Sequence, residues 1–513
     1  MNFAPAQATD TMNPPLVLSP LALCLLAATC VAAPPKVNYL FPAGSSRGQS
    51  VMLKAAGEFA TWPPQVWCEQ PGLTFVAETD KGKFRVTVAA EAAPGVVWLR
   101  FFDGDGASSL RPFIVGTLPE VDEVEPNDAP EKPQSVVLNT VVNGQLVKSG
   151  DVDGFAVELK RGEVLTAAVQ ANSLLGSPMD CVLQICQLVE RGDSASGPTT
   201  PEAYVLEQNH DAIGLDPLLT LTAPRDGKYL VRLFGFPSAP DSTIGFAGNE
   251  NLVYRLTLTT SEYDAARTLP PPPAPYPAVL RNADAQPQPI ALPCVVTGTL
   301  ATPRAEHTFQ FSATKDKKIT FHPESHSLGL LTEPMLRVAD ASGKSIAETE
   351  LSEPNKEVEL TFTPPADGTF TLVLRDLYRR GGPRLHYRLI AALQQPDFRL
   401  SLAMDTFELS ADKPLEIPIT IDRRWGFDEP IEILALGLPP GVIAEPVTSA
   451  PTGDTAKGVK LVLKSTGETP LSSQPFRVQG QSGGATKMTG NAQFVTPLPL
   501  DQKHDSLWLT VRK

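Results

Sequence analysis

The stretch LTLTAPRDGKYLVRL at residues 219–233 aligns without a gap with the stretch LTFTPPADGTFTLVL at residues 360–374. In both stretches apolar and polar residues alternate on either side of a segment that contains proline, aspartate and glycine. Alternation with a period of two is typical of β-strands with one buried face, and proline and glycine end such strands. The repetition therefore predicts two copies of one β-sheet domain.

Further segments align in the same way: residues 175–185 with 328–338, and residues 254–256 with 387–389. The aligned segments lie farther apart in copy one, which places extra residues near 190–207 and near 235–251. These two stretches are rich in glycine, serine, proline or acidic residues. We therefore predict that copy one carries two surface insertions.

Short strand-like segments bounded by glycine, proline and aspartate recur along all 513 residues. A chain of this length needs several cores, and the spacing predicts an all-β protein of four tandem β-sandwich domains in a row, immunoglobulin-like and jelly-roll-like. The expected boundaries are 35–118 for the first sandwich, 119–262 for copy one, 281–392 for copy two and 396–513 for the last sandwich. Residues 263–280 are rich in proline, so we interpret them as a polyproline II spacer, with a ligand for an aromatic groove as the alternative.

An apolar run from Leu16 to Ala33 ends in small residues just before Lys36. This pattern resembles a signal peptide over residues 1–33 and predicts an exported protein of the periplasm, cell surface or exterior. An uncleaved N-terminal anchor is the alternative, because the run approaches the length that spans a bilayer. No other membrane span is expected.

The formal net charge of −14 argues against nucleic acid as a partner, because binding to phosphate backbones needs clustered cations.

No complete catalytic constellation is found, and we predict no catalytic residue. The serine motifs at residues 44–48 and 480–484 precede strand-like residues rather than a helix, so we interpret both as glycine turns. His322 and His326 have a zinc-like spacing, but Pro323 between them favours a loop. The paired carboxylates of a glycosidase stay an open alternative.

Copy one carries four motifs that resemble the bacterial pre-peptidase C-terminal (PPC) domain, in the order of that family. They are Glu123-Val-Glu-Pro-Asn-Asp128, Gly150-Asp-Val-Asp-Gly-Phe155, Leu175-Gly-Ser-Pro178 and Pro224-Arg-Asp-Gly-Lys-Tyr229. Copy two keeps only the later motifs and resembles a degenerate PPC domain. The resemblance covers residues 119–392, and the flanking domains resemble immunoglobulin-like modules. It implies β-sandwich modules of secreted proteins that aid export, folding, attachment or substrate binding and are not catalysts.

In some PPC domains, carboxylate and amide oxygens of the first two motifs hold calcium. The matching positions of this chain are Glu123, Glu125, Asn127, Asp128 and Asp153, and Asp151 is a further candidate because an acid lies nearby in the family, although not at the same place. The resemblance thus implies a structural Ca²⁺ ion at these residues, and calcium binds six to eight oxygens. The alternative is a turn that starts the domain, with proline and asparagine setting the backbone angles.

Together these observations predict an exported, non-catalytic binding, adhesion or scaffold protein of the cell envelope or exterior. We expect its partner to be an extracellular or envelope protein or a polysaccharide. The first alternative is an auxiliary or targeting subunit of a secreted hydrolase. A hydrolase in its own right is the second.

Overall fold

The structure is a computed structural model that describes residues 33–512 apart from 192–199, 240–244, 261–275, 283, 350–356, 383, 468, 485–486 and 501. The predicted signal peptide and most of the predicted linker lie outside the described residues. The described elements are β-strands except for a short helix, α1 (Asn172–Leu175), and a 3₁₀ turn (His326–Leu328). The all-β prediction is therefore confirmed. Neither helical element is long and apolar enough to cross a membrane.

The first sandwich consists of β1 (Lys36–Phe41), β2 (Gly44–Ser46), β3 (Ser50–Glu58), β4 (Gln65–Cys68), β5 (Leu73–Ala77), β6 (Lys83–Val88), β7 (Gly95–Asp103), β8 (Gly106–Ala107) and β9 (Arg111–Gly116). Its sheets have the strand orders β1-β3-β6-β5 and β2-β9-β7-β4, with β8 beside β7. The apolar residues of the alternating pattern form the core between the two sheets. In β6, for example, Phe84 and Val86 are buried and their neighbours are exposed.

The second sandwich consists of β10 (Glu120–Asp122), β11 (Gln134–Ser135), β12 (Thr140–Gln145), β13 (Asp153–Leu159), β14 (Val164–Gln170), β15 (Met179–Arg191), β16 (Thr200–Asn209), β17 (Leu218–Thr222), β18 (Gly227–Pro237) and β19 (Val253–Thr259). The third consists of β20 (Ala278–Leu280), β21 (Gln288–Pro289), β22 (Cys294–Thr299), β23 (Glu306–Ala313), β24 (Ile319–Glu324), β25 (Pro334–Ala339), β26 (Ser345–Glu348), β27 (Leu360–Phe362), β28 (Gly368–Asp376) and β29 (His386–Leu393).

These two sandwiches share one topology. Their first sheets have the orders β10-β12-β19-β14-β17 and β20-β22-β29-β24-β27, and their second sheets have the orders β11-β13-β18-β15-β16 and β21-β23-β28-β25-β26. The tyrosines aligned in the sequence, Tyr254 and Tyr387, are both buried at matching positions of β19 and β29. The internal repeat thus corresponds to a repeated fold. Strand β20 lies in the stretch expected to be linker, and it pairs with β22 as β10 pairs with β12.

The fourth sandwich consists of β30 (Asp397–Ser401), β31 (Thr406–Ser410), β32 (Leu415–Arg424), β33 (Ile431–Leu436), β34 (Val442–Ala444), β35 (Val447–Ser449), β36 (Gly458–Ser465), β37 (Ser472–Ser482), β38 (Thr489–Asn491), β39 (Phe494–Val495), β40 (Lys503–His504) and β41 (Leu507–Arg512). Its sheets have the orders β30-β32-β36-β34 and β31-β41-β37-β33-β35, with β38 beside β37 and a separate ribbon of β39 and β40.

Several local expectations differ from the structure. The serine motifs at residues 44–48 and 480–484 begin in strands β2 and β37 rather than in turns, because their backbones pair with β9 and β33. His322 likewise lies in strand β24 and not in a loop. In the first insertion of copy one, the described residues belong to β15 and β16, which pair in antiparallel fashion.

The second insertion packs onto its sandwich instead of standing off as a plain surface loop. The ring of Phe246 stacks on Phe234 with 4.4 Å between centroids. The Ala247 N–H donates to the Gly235 carbonyl at 2.7 Å. Apolar burial and backbone hydrogen bonds therefore fix this segment.

The four sandwiches do not form an open row, because the first and the last are in contact. The buried Arg100 guanidinium of the first sandwich lies 2.5 Å from Asp405 of the last. Trp67 and Trp508 meet edge to face across the same contact, with 6.0 Å between centroids. The chain thus folds back so that its two end sandwiches share a buried surface. This contact could not be predicted from the sequence, since nothing in either segment indicates the other.

We expect the change Asp405→Asn to destabilise the protein by about 3–5 kcal/mol, because it leaves the buried Arg100 charge unpaired. Urea unfolding followed by tryptophan fluorescence measures this loss. The control Glu416→Gln removes half of an exposed pair with Lys460 and should cost about 1 kcal/mol or less. Equal effects of the two changes would contradict the role given to the Arg100 contact.

His504 makes the same contact sensitive to acid. Its ring is buried and packs on Trp98 at 4.6 Å between centroids. Burial lowers its pKa to about 4, and the charge of Arg100 acts in the same direction, whereas the charges of Asp405 and Asp505 oppose the shift. The folded state therefore binds fewer protons than the unfolded state between about pH 4 and 6.5. The stability that this group contributes is complete above that range and is lost as the pH falls through it.

Between pH 7.5 and pH 5, His504 should cost the wild-type protein on the order of 2 kcal/mol of stability. We expect the change His504→Gln to abolish this part of the pH dependence. The measurement compares urea unfolding of wild type and variant at both pH values. His307 and His386 also have pKa values lowered to about 4 by burial, so the wild-type slope is shared and the difference isolates His504. Identical pH slopes for the two proteins would contradict this assignment.

Candidate cation site in the second sandwich

The six residues expected to bind calcium lie on two neighbouring connections of the second sandwich. Glu123, Glu125, Asn127 and Asp128 follow β10, whereas Asp151 precedes β13 and Asp153 begins it. The two connections meet because β10 and β11 pair with β12 and β13 respectively. The structure brings five of the six residues into two groups rather than into one shell, and the sixth, Asn127, lies beside Asp128 in the chain.

The outer group consists of Glu125, Asp128 and Asp151, whose oxygens lie within 4.8 Å of one another. Asp151 is buried, and its Oδ2 accepts the Val147 N–H at 2.6 Å. Its Oδ1 accepts no hydrogen bond from the described residues, although it is the atom that faces the ammonium group of Lys148. The Lys148 Nζ lies 3.0 Å from Asp128 and 3.5 Å from Asp151, so an ammonium group balances these acids in the structure.

Asn127 is the buried amide of this segment. Its side chain is 1% exposed, and neither its oxygen nor its nitrogen has a hydrogen-bond partner among the described residues. Burying an amide without partners costs free energy. The Asn127 side-chain oxygen is therefore available to a ligand from inside the protein.

The inner group is built around Tyr254. The tyrosine hydroxyl lies 2.8 Å from Glu123 Oε2 and 2.5 Å from Asp153 Oδ2. Burial, reinforced by the charge of Glu123, raises the pKa of Asp153 to about 10. A hydroxyl donates only one hydrogen, so one of the two carboxyl groups must carry a proton unless a cation takes its place.

Copy two has lost the acid that corresponds to Asp153. Asp153 pairs with Leu233 in copy one, and His307 pairs with the aligned residue Leu374 in copy two. The His307 Nδ1 lies 2.7 Å from the Tyr387 hydroxyl, and burial lowers the pKa of this histidine to about 4. A neutral imidazole thus stands where copy one has a carboxyl group.

Two further positions of copy two have also lost the acidic residues that copy one has there. A Cβ added at Gly144 would meet the tyrosine and Glu123, whereas one added at the matching Gly298 would meet the tyrosine and Arg281. Arg281 therefore takes the place of Glu123. Ala305 stands two residues before the histidine, where copy one has its buried aspartate. Copy two cannot offer the same set of oxygens, so a cation site of this kind belongs to copy one.

The ligand atoms of copy one fit a hard divalent cation. All of the candidate donors are carboxylate or amide oxygens, which calcium prefers. Asn127, Asp151 and Asp153 each keep one buried oxygen that has no hydrogen-bond partner among the described residues. Glu125, Asp128 and Asp151 would hold the ion, because their oxygens lie within 4.8 Å of one another.

The sequence analysis missed two participants, Lys148 and Tyr254. Lysine in a loop carries no signal of its own, and Tyr254 appeared in the sequence only as part of a repeated segment. The sequence analysis also missed the carboxylate of Asp216, which accepts hydrogen bonds from the backbone of Ala171 and Asn172 and holds helix α1. Glu357 accepts bonds from the Ser325 and Ser327 N–H groups of copy two in the same way. The repeat alignment could have indicated this pair of acids.

A second group of ligand-type side chains consists of Asp180, His210 and Asp211, whose donor atoms also lie within 4.8 Å of one another. The side chains of His210 and Asp211 are 59% and 39% exposed. His326 lies 3.0 Å from Glu333 and, among the described residues, joins no group with His322. Asp180 and Asp211 also each keep one buried oxygen without a hydrogen-bond partner among the described residues, but their group holds only two carboxylates and its third member is the exposed His210.

No protein-family model and no curated protein matches the chain. Among solved structures, the PPC domain of a collagenase from Bacillus anthracis is 15% identical with a TM-score of 0.17, over 23% of this chain and 97% of that one. CorA, a surface-associated copper-binding protein of Methylomicrobium album BG8, is 11% identical with a TM-score of 0.19, over 25% and 98%. SGBP-B of the Bacteroides ovatus mixed-linkage glucan utilization locus is 12% identical with a TM-score of 0.15, over 70% and 74%. Because these identities and TM-scores are low, the β-sandwich architecture is assigned from the strands of this chain alone.

Proposed function

We propose that the chain is an exported, non-catalytic binding or scaffold protein whose second sandwich is fixed by a structural calcium ion. The observation that carries this proposal is the set of buried oxygens without hydrogen-bond partners on Asn127, Asp151 and Asp153. The four motifs of copy one and the shared topology support PPC modules in the middle of the chain. The apolar run before Lys36 supports export.

A scaffold role is supported by where the site lies. Glu123 directly follows β10, and Glu120 of that strand forms a bidentate ion pair with Arg255 at 2.7 and 2.8 Å. The Arg255 guanidinium lies against Gly44 of the first sandwich, where an added Cβ would come within 2.3 Å of it. An ion that orders residues 123–128 would therefore also order the joint between two sandwiches.

A non-catalytic role is supported by how the acids are used. Asp151 accepts backbone hydrogen bonds from Val147 and Lys148, and Glu123 accepts one from Gln145. Carboxylates held in this way are suited to fixing loops.

Calcium titration of the full chain tests the proposal. We expect saturable binding by calorimetry, and at a hundredfold excess over the Kd a stabilisation of about 2.7 kcal/mol in urea unfolding. The changes Asp151→Asn and Glu125→Gln should each abolish both effects. The control Glu131→Gln alters an exposed acid of the same segment and should leave both unchanged. A folded wild-type protein that binds no calcium would refute the proposal.

We expect the change Lys148→Met to tighten calcium binding by about tenfold or more, because it removes the ammonium group that competes for Asp128 and Asp151. Calorimetry on wild type and variant measures the ratio. The control Lys132→Met removes an exposed lysine of the same sandwich and should leave the affinity unchanged. If Lys148 is instead the permanent counter-ion of the acids, its removal will destabilise the protein and no calcium response will appear.

A further inference from the structure

A polar cleft of about 790 Å³ lies between the first and second sandwiches. Beneath it, Leu175 and Val253 of the second sandwich pack in one buried apolar cluster with Ala43 and Ile114 of the first. Because this contact is buried, the two walls of the cleft keep a fixed spacing. The cleft is therefore shaped before any ligand arrives, as binding sites commonly are.

The wall from the first sandwich presents Arg111 of β9. Its Nε donates to the Val37 carbonyl at 2.7 Å, and no carboxylate of the described residues pairs with it. Burial alone accounts for the lowered pKa of Arg111. A guanidinium group stays charged and offers a planar fork of donors that fits a carboxylate. Arg111 is thus a half-buried cation that lacks an anion.

The wall from the second sandwich comes from the insertion that copy two lacks. It presents Asn249, Glu250 and Asn251 to the cleft. The Glu250 carboxylate is balanced by Lys54 at 2.8 Å and accepts the Tyr39 hydroxyl at 3.1 Å. The side-chain oxygen of Asn251 is buried and has no partner among the described residues. This wall therefore offers amides, and its one negative charge is already paired.

These groups favour a ligand with many hydroxyls over a peptide. A peptide would add to the edge strand β1, but the register of β1 shifts between Val37 and Tyr39. The Val37 carbonyl is moreover occupied by Arg111. Irregular and capped edges oppose strand addition. Side-chain amides, by contrast, donate and accept at once and so match neighbouring sugar hydroxyls.

We propose that this cleft binds an acidic oligosaccharide, with Arg111 paired to a uronate carboxylate and with Asn38, Asn249 and Asn251 hydrogen-bonded to sugar hydroxyls. This proposal rests on the binding function proposed above and names its ligand class. It does not depend on the cation site, whose residues lie outside the cleft.

Calorimetry of the full chain with trigalacturonate, and with maltotriose as the neutral trimer, tests the proposal both with calcium and with a chelator. We expect the acidic trimer to bind and the neutral trimer to bind at least about tenfold more weakly, which is what one charge-assisted hydrogen-bond pair contributes. The change Arg111→Ala should weaken binding of the acidic trimer by a similar factor, and Asn251→Ala should weaken binding of both trimers. The control Arg85→Ala removes an exposed arginine of the same sandwich and should change nothing.

The variant Arg111→Lys distinguishes loss of binding from loss of folding, because it keeps the positive charge. Its affinity for the acidic trimer should lie between those of wild type and Arg111→Ala, and its unfolding midpoint should be unchanged. The proposal is overturned if neither Arg111 variant alters binding, if the two trimers bind equally, or if triglutamate binds more tightly than trigalacturonate. It is also overturned if the folded protein binds no sugar. In that case an intact calcium response would leave the scaffold role standing.

Discussion

The ion pair between Arg255 and Glu120 is the interaction on which the arrangement of the first two sandwiches depends. Both side chains are almost fully buried, and Asn143 accepts a further hydrogen bond from Arg255 at 2.9 Å. A buried pair of this kind contributes more to a unique geometry than to net stability, because desolvation offsets most of the attraction. Gly44 belongs to the same joint, since any larger residue would collide with the guanidinium group.

The two middle sandwiches show how one fold can keep its core and change its chemistry. Their strand orders are identical and their central tyrosines occupy matching positions. Around Tyr254 stand two carboxyl groups, whereas around Tyr387 stand a histidine and an arginine. Apolar burial decides the fold, so the polar residues beside the tyrosine were free to diverge. Only copy one combines the acidic cluster with the insertion that walls the cleft.

The sequence was sufficient to predict the features that depend on a local pattern of residues. Alternation predicted the strands, the repeat predicted two equal topologies, and the PPC-like motifs indicated acids that lie after β10 and at the start of β13. It was insufficient where distant residues meet. Arg100 and Asp405 are separated by 305 positions, and neither lies in a motif. The role of Lys148 could not be predicted for a related reason, because only the folded loop brings its ammonium group to Asp128 and Asp151.

Three consecutive residues of β19 connect the joint, the acids and the cleft. Side chains alternate along a strand, so Tyr254 points into its own sandwich while Val253 and Arg255 point toward the first one. The acids around Tyr254 therefore contact the strand that also carries the floor of the cleft and the joint. Strands in a packed sheet shift as units rather than one residue at a time. The cation site and the cleft thus share one rigid element, although they share no ligand residue.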